Sequence, residues 1–330
     1  MHGSPTRVSI GLLGLALALV VVGGALALQT PGRTKVYPGK VPLVALNHAS
    51  FAFVVSRSKQ DCDHVELWDT DVKGLWRFGK PGTCTNLGST GAGISALGVS
   101  GNRALWVRYN GGNRRDWLLM TATTTQKAPK QLRFVEQDVE NTTPPFVIGD
   151  STQFLGIPYG AGKQVVLLGQ NGAAVFKRTE PARVVAVTAG NGPAGAVVAV
   201  LLDTGQVDML KQDGSVAWSV TYPAGAVTAI ALAPKGLVAQ VGSNVEIRKA
   251  TGTTATVPLP TGSRMTDYAE GRILYAQAGK VGLLAVSNGK NTPLLLSTAA
   301  KPVVATLDTH GLAWGKGNTA NFACAICIGS

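Results

Sequence analysis

The sequence is poor in charged and aromatic residues. Only 15% of its 330 residues are charged and 6% are aromatic, whereas about a quarter of a typical globular protein is charged. The hydrophobic fraction of 45% is too high for a disordered chain. After residue 30, no long stripe of apolar residues recurs at helical spacing. These absences exclude a disordered protein and a mainly helical one.

Sequence motifs for catalysis are also scarce. The chain has 18 acidic residues and 4 histidines, and no two acids have a distinctive spacing for glycoside hydrolysis. Neither a Gly-x-Ser-x-Gly nucleophile turn nor a phosphate-binding loop occurs. The sequence therefore predicts no cofactor and no metal, and it favours a binding protein over an enzyme.

Cysteine is rare, with four residues in the chain. Cys62 and Cys84 bracket a predicted strand hairpin and are expected to form a disulfide. With His64, the same two cysteines could alternatively supply zinc ligands. The pairing of Cys324 and Cys327 stays open, because an extended strand places residues three apart at a distance of roughly 10 Å.

The N-terminus carries a targeting signal. Residues 8–28 are an uncharged apolar run of 21 residues that ends near a small-x-small site, Ala25-Leu26-Ala27. Such a segment is a hydrophobic helix that serves as a cleaved signal peptide or as a transmembrane anchor. We therefore expect residues 1–28 to direct the chain out of the cytoplasm and residues 29–40 to be a linker, with one folded domain at 41–330.

A short strand motif recurs about every forty residues. Its form is an apolar residue, a variable residue and two more residues of strand type, followed by a turn and another strand. The copies are Val65-Glu66-Leu67-Trp68, Trp117-Leu118-Leu119-Met120, Val165-Val166-Leu167-Leu168, Val207-Asp208-Met209-Leu210, Val245-Glu246-Ile247-Arg248, Val281-Gly282-Leu283-Leu284 and Phe322-Ala323-Cys324-Ala325. Strands at this period predict an all-β β-propeller with seven four-stranded blades.

The turns and the chain ends support this interpretation. Asn171-Gly172, Asp213-Gly214 and Asn288-Gly289 lie at the same place in three repeats and suit two-residue hairpins. The seventh repeat runs out after its third strand. Because a ring must close to avoid an open sheet edge, we expect the segment around residues 33–37 to supply the missing outer strand.

Three short segments resemble the broad group of propellers with WD-repeat, TolB-like and quinoprotein-like repeats. They are Leu67-Trp68-Asp69, Ala233-Pro234-Lys235-Gly236-Leu237 and Asp308-Thr309-His310-Gly311-Leu312. The resemblance covers roughly residues 36–328. It implies the propeller fold and a binding platform, and it assigns no catalytic residue.

One candidate site lies at predicted turns that follow inner strands. His48 and His310 fall at such turns in the first and last repeats, with Asp308 beside His310. Asp150 and Asp267 occupy comparable turns. These residues predict a polar rim at one mouth of the central channel, where a ligand or a hydrolase or lyase site could lie.

A second candidate site is a cluster of arginines and tryptophans in the second repeat. An Arg and Trp surface is typical of an interface hot spot. The residues proposed for binding are Arg103, Arg108, Arg114, Arg115, Trp106 and Trp117.

The net charge of +12 favours anionic partners. We therefore expect an extracytoplasmic binding or scaffold protein, membrane-anchored or secreted, that presents a propeller surface to an envelope protein or an anionic cell-surface polymer. Nucleic acid is not an expected partner of an exported chain. Two alternatives stay open: a hydrolase or lyase at the channel mouth, and a sensor that binds a small ligand without turnover.

Overall fold

The chain folds into a β-propeller, seen in a computed structural model that describes residues 33–58, 61–81, 92–110, 114–138, 149–150, 154–159 and 162–324. Within these residues, 28 strands form seven four-stranded antiparallel sheets. The strands of each sheet follow one another along the chain, apart from one strand at the ring closure. The prediction of an all-β propeller is confirmed.

The first four blades are numbered along the chain, and each begins with its innermost strand. Blade 1 comprises β2 (Leu43–Asn47), β3 (Ser50–Val55), β4 (His64–Asp69) and β5 (Leu75–Phe78). Blade 2 comprises β6 (Ala92–Ser100), β7 (Arg103–Asn110), β8 (Arg114–Thr123) and β9 (Lys130–Asp138). Blade 3 comprises β10 (Gly149–Asp150), β11 (Phe154–Tyr159), β12 (Gln164–Gly169) and β13 (Ala174–Thr179). Blade 4 comprises β14 (Val184–Ala189), β15 (Ala196–Leu202), β16 (Gln206–Lys211) and β17 (Val216–Thr221).

The remaining strands complete the ring. Blade 5 comprises β18 (Val227–Ala233), β19 (Gly236–Val241), β20 (Asn244–Lys249) and β21 (Gly252–Pro258). Blade 6 comprises β22 (Arg264–Ala269), β23 (Arg272–Gln277), β24 (Lys280–Ala285) and β25 (Asn291–Leu296). Blade 7 comprises β26 (Val303–Leu307), β27 (Gly311–Lys316), β28 (Thr319–Cys324) and, as its outer strand, β1 (Arg33–Val36).

Blade 3 differs from the other six. Six blades have four strands of at least four residues each, whereas the innermost strand of blade 3, Gly149–Asp150, has two residues. The expectation of seven full blades is therefore corrected to six complete blades and one with a reduced inner strand. The inner strand predicted at residues 145–148 lies outside the described residues.

The N-terminal strand closes the ring. Strand β1 pairs antiparallel with β28, with Arg33 opposite Phe322 and Val36 opposite Thr319. The Thr34 hydroxyl also donates a hydrogen bond of 2.9 Å to Asn321 Oδ1. The segment expected to supply the missing outer strand is thus the outer strand of blade 7, and its pairing with β28 closes the ring.

The predicted hairpin turns have the required backbone conformation. Gly172, Gly214 and Gly289 have φ values of 78°, 82° and 66°, which a side chain would disfavour. In each turn, the preceding Asn or Asp side chain accepts a hydrogen bond from the N–H two residues later, at 3.0, 2.9 and 2.8 Å. The same turn conformation therefore recurs in blades 3, 4 and 6.

The recurring motif forms the third strand of each blade. Four consecutive residues are buried in β4, β12, β16 and β24, because neighbouring blades cover both faces of these strands. In blades 1 and 4 the variable position is a buried acid that has hydrogen-bond partners. Glu66 Oε2 accepts a bond from the Tyr37 hydroxyl at 2.7 Å, and Asp208 Oδ1 accepts one from the Ser219 hydroxyl at 2.5 Å.

The predicted N-terminal helix lies outside the described residues. Among the residues that are described, no helix is long and apolar enough to span a bilayer. Cys62 and Cys324 are both disulfide-bonded. Cys84 and Cys327 lie outside the described residues, so the predicted pairing of Cys62 with Cys84 stays a prediction.

The propeller has two faces, defined by the chain direction. The upper face carries the connections from the innermost strand of a blade to its second strand. They are short turns in blades 1, 2, 5, 6 and 7, as at His48 and Asp308, and a longer loop with a 3-10 turn at Pro193–Gly195 in blade 4. On the lower face, the chain crosses from the outer strand of one blade to the innermost strand of the next, as at residues 37–42 and 297–302.

Candidate functional site at the upper mouth of the channel

The upper mouth of the channel holds a cavity of about 560 Å³. Its wall is built by the ends of the inner strands and the turns that follow them in blades 1, 4, 5, 6 and 7. Apolar surface comes from Leu46, Leu232 and Leu307, and the rim carries His48, Asn191, Lys235, Glu270 and Thr309. A concave site with a few polar groups over an apolar floor is suited to a small ligand.

Asp308 holds two blades together at this mouth. Its carboxylate accepts hydrogen bonds from three main-chain N–H groups, those of His48 at 2.5 Å, His310 at 2.7 Å and Gly311 at 3.0 Å. Burial raises the pKa of Asp308, while these hydrogen bonds and the charge of His48 lower it. The carboxylate therefore fixes the turn of blade 7 and joins it to the turn of blade 1.

The three residues predicted for catalysis meet where the Asp308 carboxylate accepts the main-chain N–H groups of His48 and His310, but the His310 ring points elsewhere. His48 and Asp308 line the cavity. The His310 ring lies 5.9 Å from the Phe322 ring, and its Nε2 is 3.0 Å from Asp71 Oδ1 in the β4–β5 turn. His310 is thus engaged with a neighbouring turn, and no relay of His48, Asp308 and His310 side chains is present.

Asp267 is a partly buried acid in the wall of the upper mouth. Burial raises its pKa to about 6, although hydrogen bonds from the Thr306 hydroxyl at 2.6 Å and the N–H groups of Leu307 at 2.9 Å and Tyr268 at 2.8 Å lower it. A carboxyl group with such a pKa in a cavity can exchange a proton near neutral pH. The side chain of Asp150, predicted for the same rim, lies outside the described part of the chain.

Three polar rim residues escaped the sequence analysis. Asn191, Lys235 and Glu270 lie in the turns of blades 4, 5 and 6 that correspond to the turns of His48 and Asp308. The signal was available, because the repeat register aligns these turns. The sequence analysis named only the histidines and aspartates at this turn position.

The tryptophans of blade 2 are packed inside the protein. Trp106 is 4% exposed and Trp117 is 1% exposed. Trp106 stacks on Phe78 of blade 1 with ring centroids 6.1 Å apart, and Trp117 lies 5.5 Å from the ring of Tyr109. These two residues therefore fill interfaces around blade 2 and do not form the exposed aromatic surface that the sequence suggested.

The arginines of blade 2 differ in their environments. Arg103 donates hydrogen bonds to the Gln170 carbonyl at 2.5 Å and the Thr121 hydroxyl at 2.9 Å, which joins blade 2 to blade 3. Arg108 is exposed and lines a lower-face cavity of about 300 Å³ between blades 1 and 2. The side chains of Arg114 and Arg115 lie outside the described part of the chain.

The zinc alternative at the first hairpin finds no support in the geometry. His64 Nδ1 is 2.9 Å from the Cys62 carbonyl oxygen, and its Nε2 is 3.3 Å from Glu66 Oε1. Cys62 is disulfide-bonded. Within the described residues, no group of three or more His, Cys, Asp and Glu side chains could hold a metal ion.

Comparison with known proteins supports the β-propeller fold but assigns the chain to no family. No family model matches the chain, and no curated protein matches it. Among solved structures, a chain of the mitotic checkpoint complex has a TM-score of 0.58 and 15% identity, covering 97% of this chain and 99% of that chain. The Cps50 (Swd1) β-propeller domain of Myceliophteria thermophila has a TM-score of 0.56 and 11% identity, covering 89% and 100%.

An enzyme also occurs among the similar structures. A streptogramin B lyase has a TM-score of 0.55 and 12% identity, covering 88% of this chain and 98% of that chain. At these identities the similarity shows the fold alone. Taken with the seven sheets and their ring closure, it identifies the chain as a β-propeller with both WD40-like and lyase-like structural neighbours.

Proposed function

We propose that this protein is a non-enzymatic, extracytoplasmic binding protein whose ligand site is the upper mouth of the channel. The observation that carries the proposal is the cavity of about 560 Å³ at that mouth. Its size lies within the range of small-molecule sites, and five blades of a closed ring hold its wall in place.

The hydrogen bonds made by the two carboxylates of the cavity wall favour binding over catalysis. Asp308 accepts three hydrogen bonds from the turns at the cavity, and Asp267 accepts three from the inner strands of blades 6 and 7. Their oxygens therefore have a structural task already. The remaining rim groups, among them His48, Lys235 and Asn191, are exposed and can contact a ligand.

Two observations support location outside the cytoplasm. The apolar run at residues 8–28 is long enough to span a bilayer or to act as a signal. Cys62 and Cys324 are disulfide-bonded, and disulfides persist in oxidising compartments. We expect maleimide to label the protein in intact cells only after a reductant is added; labelling of free thiols without reduction would contradict this location.

Site-specific photo-cross-linking tests the ligand site. A photoreactive amino acid at Thr309 on the upper rim should capture the ligand in cells, whereas the same residue at Ser243 on the lower face should not. The Asn191→Trp substitution, which places a large ring in the cavity, should abolish the Thr309 adduct. An adduct that survives Asn191→Trp, or no adduct at Thr309, would contradict an upper-mouth site.

A scaffold surface on blade 2 is a second candidate, because Arg108 is exposed beside a lower-face cavity that also contains Lys80. An envelope protein or an anionic cell-surface polymer would be its partner. Cross-linking from position 108, with an Arg114→Glu/Arg115→Glu variant as the comparison, tests this surface. An adduct there alone would replace the upper mouth with blade 2 as the binding site.

A hydrolase or lyase at the upper mouth is the third candidate, favoured by the raised pKa of Asp267. Purified protein would be incubated with extracts of the host envelope, and compounds that disappear would be compared with those for Asp267→Asn and His48→Gln variants. Turnover by the wild type that both substitutions abolish would show an enzyme.

A further inference from the structure

The lower mouth of the channel holds a smaller, apolar cavity that no proposal above uses. Its volume is about 300 Å³, and it lies at the lower ends of the inner strands of blades 1, 6 and 7. Leu43, Val44, Val303, Val304 and Ala305 form most of its wall. These residues are partly exposed to solvent in the channel, so the cavity offers apolar surface to a ligand.

Five of the lower-face loops around this cavity carry positive charge only. The β3–β4 loop of blade 1, which bonds to Lys40, also contains Asp61 and Asp63, but Asp61 pairs with Arg77 and Asp63 accepts a hydrogen bond from the Arg57 N–H. The loops at residues 37–42, 259–264, 277–280, 297–302 and 316–318 contain no Asp or Glu. Their five basic residues are Lys40, Arg264, Lys280, Lys301 and Lys316. Arg264 begins the inner strand of blade 6, and Lys301 and Lys40 lie two and three residues before the inner strands of blades 7 and 1.

Main-chain hydrogen bonds bring the basic loops together. Gly317 donates a bond of 3.3 Å to the Pro302 carbonyl oxygen, and its own carbonyl oxygen accepts one of 2.8 Å from the Val41 N–H. Lys301 packs against Gly317, where a Cβ atom would lie 3.5 Å from Lys301 Cγ. Residues that lie as far apart in sequence as Lys40 and Lys301 thus border the same mouth.

The positive charge at the lower mouth is not neutralised by the protein. None of the five basic residues forms an ion pair with any residue in the described ranges. Basic side chains at the entrance of an apolar cavity are complementary to a molecule with an anionic head and an apolar body.

We propose that the lower mouth binds a single-chain anionic amphiphile, with a carboxylate or phosphate head at the basic loops and an alkyl chain in the cavity. A volume of about 300 Å³ is at the lower end of the range for ligand sites and suits one alkyl chain. The site is separate from the upper mouth, so it does not depend on the function proposed above.

Photoaffinity labelling tests this site. Full-length protein in nanodiscs of zwitterionic lipid would be exposed to a twelve-carbon carboxylate with a photoreactive group in mid-chain, and labelled peptides would be mapped by mass spectrometry. We expect label on the peptides that contain residues 42–44 and 303–305. Dodecanoate should compete at least ten-fold better than dodecyltrimethylammonium, and acetate should not compete.

Matched variants separate charge from shape. Lys40→Glu/Lys301→Glu should reduce labelling at least ten-fold, while Lys235→Glu/Lys249→Glu makes the same change in net charge on the upper face and should leave it intact. Ala305→Leu fills the cavity and should reduce labelling with the basic loops unchanged; if that variant fails to fold, the lysine pair still decides.

Three outcomes would overturn the proposal. They are equal competition by the cationic probe, labelling that the Lys40→Glu/Lys301→Glu variant does not reduce, and label spread over both faces. Competition by a soluble polyanion but not by dodecanoate would also overturn it and would indicate a polymer-binding surface instead.

Discussion

The upper mouth of the channel is a cavity of about 560 Å³ with a polar rim and with Asp267, Asp308 and Glu270 in its wall, whereas the lower mouth is an apolar cavity of about 300 Å³. No carboxylate occurs in five of the loops that border the lower mouth, and those of Asp61 and Asp63 in the β3–β4 loop already have partners within the protein. The two mouths thus differ in the sign of their charged residues, although the net charge of the whole chain is +12. The carboxylates of the upper mouth belong to inner strands and the turns that follow them, whereas the basic residues of the lower mouth belong to crossings between blades and to hairpin turns.

Tight turns make the upper face, and their geometry selects polar residues. His48 and Glu270 have φ values of 50° and 48°, and the Asp308 side chain caps the turn of blade 7. Asp and Asn favour such turns because they bond to nearby N–H groups. Of the five lower loops, 37–42, 259–264 and 297–302 are crossings between blades, and 277–280 and 316–318 are hairpin turns. Their basic side chains form no ion pair with residues in the described ranges. At the upper mouth, carboxylates bond to the protein backbone and shape the turns. At the lower mouth, the basic side chains have no ion-pair partner in the part of the chain that the structure describes.

The largest expected effect comes from the seam beside the lower mouth. A Cβ atom at Gly315 would lie 2.5 Å from the Val41 carbonyl oxygen, which the backbone of blade 1 cannot move easily. Gly315→Leu should therefore lower the free energy of unfolding by about 3 kcal/mol, as overpacking does. Urea denaturation measures this, with Ala300→Leu on an exposed loop as the control. Equal stability of the Gly315→Leu variant and the wild type would disprove a tight seam.

The pH dependence of stability should come from the upper mouth. The pKa of Asp267 is raised from 3.8 to about 6, so the folded state holds its proton to higher pH than the unfolded state. The free energy of unfolding should therefore fall as pH rises from about 4 to about 6, by up to about 3 kcal/mol. Glu180 and Asp308, whose pKa values burial also raises, act in the same direction.

Asp267→Asn should flatten this fall whatever its effect on overall stability. Urea denaturation at pH 4, 5, 6 and 7 would compare the slopes of the two proteins. Matching slopes would assign the pH dependence to groups other than Asp267.

Removal of the Asp308 carboxylate should weaken the junction of blades 7 and 1 at the upper mouth. Asp308→Ala leaves three N–H groups without their acceptor, and we expect a loss of roughly 2 kcal/mol in the free energy of unfolding. Asp71→Ala breaks only the exposed contact with His310 and should cost less than about 1 kcal/mol. Thermal denaturation compares the two variants, and equal losses would contradict a capping role for Asp308.

The smallest effect on stability should come from the lysines. Lys301→Glu on the lower face and Lys235→Glu on the upper face should each change the free energy of unfolding by less than about 0.5 kcal/mol. Their effects on amphiphile labelling should differ, with a loss for Lys301→Glu alone. A large destabilisation by Lys301→Glu would show that this lysine has a structural role and would weaken the contrast between the mouths.

The sequence was sufficient to predict the local features of the fold. Repeated apolar runs such as Val165–Leu168 predict strands buried on both faces, and Asn171-Gly172 predicts a turn whose φ is positive. The seventh unit lacks its outer strand in sequence order, and the need to close the ring predicts that residues near Arg33 supply it. These features depend on neighbours along the chain or on one topological rule.

Side-chain contacts between blades could not be predicted in the same way. The position of His310 in its turn is evident, but its contact with Asp71, 239 residues away, depends on the rotation between blades. Trp106 resembles a surface residue when it is read beside Arg108, and its burial depends on Phe78 of the neighbouring blade. The basic loops of the lower mouth are likewise separated by most of the chain.

Closure of the ring by β1 has a consequence for the order of assembly. Thr34 leaves the ribosome early, and its partner Asn321 follows 287 residues later. The first strand must therefore wait unpaired until the last one is made, and contacts of such sequence separation form slowly. Because blade 7 borders both mouths, neither proposed site can form before β28 is made, and binding itself would report that the ring has closed.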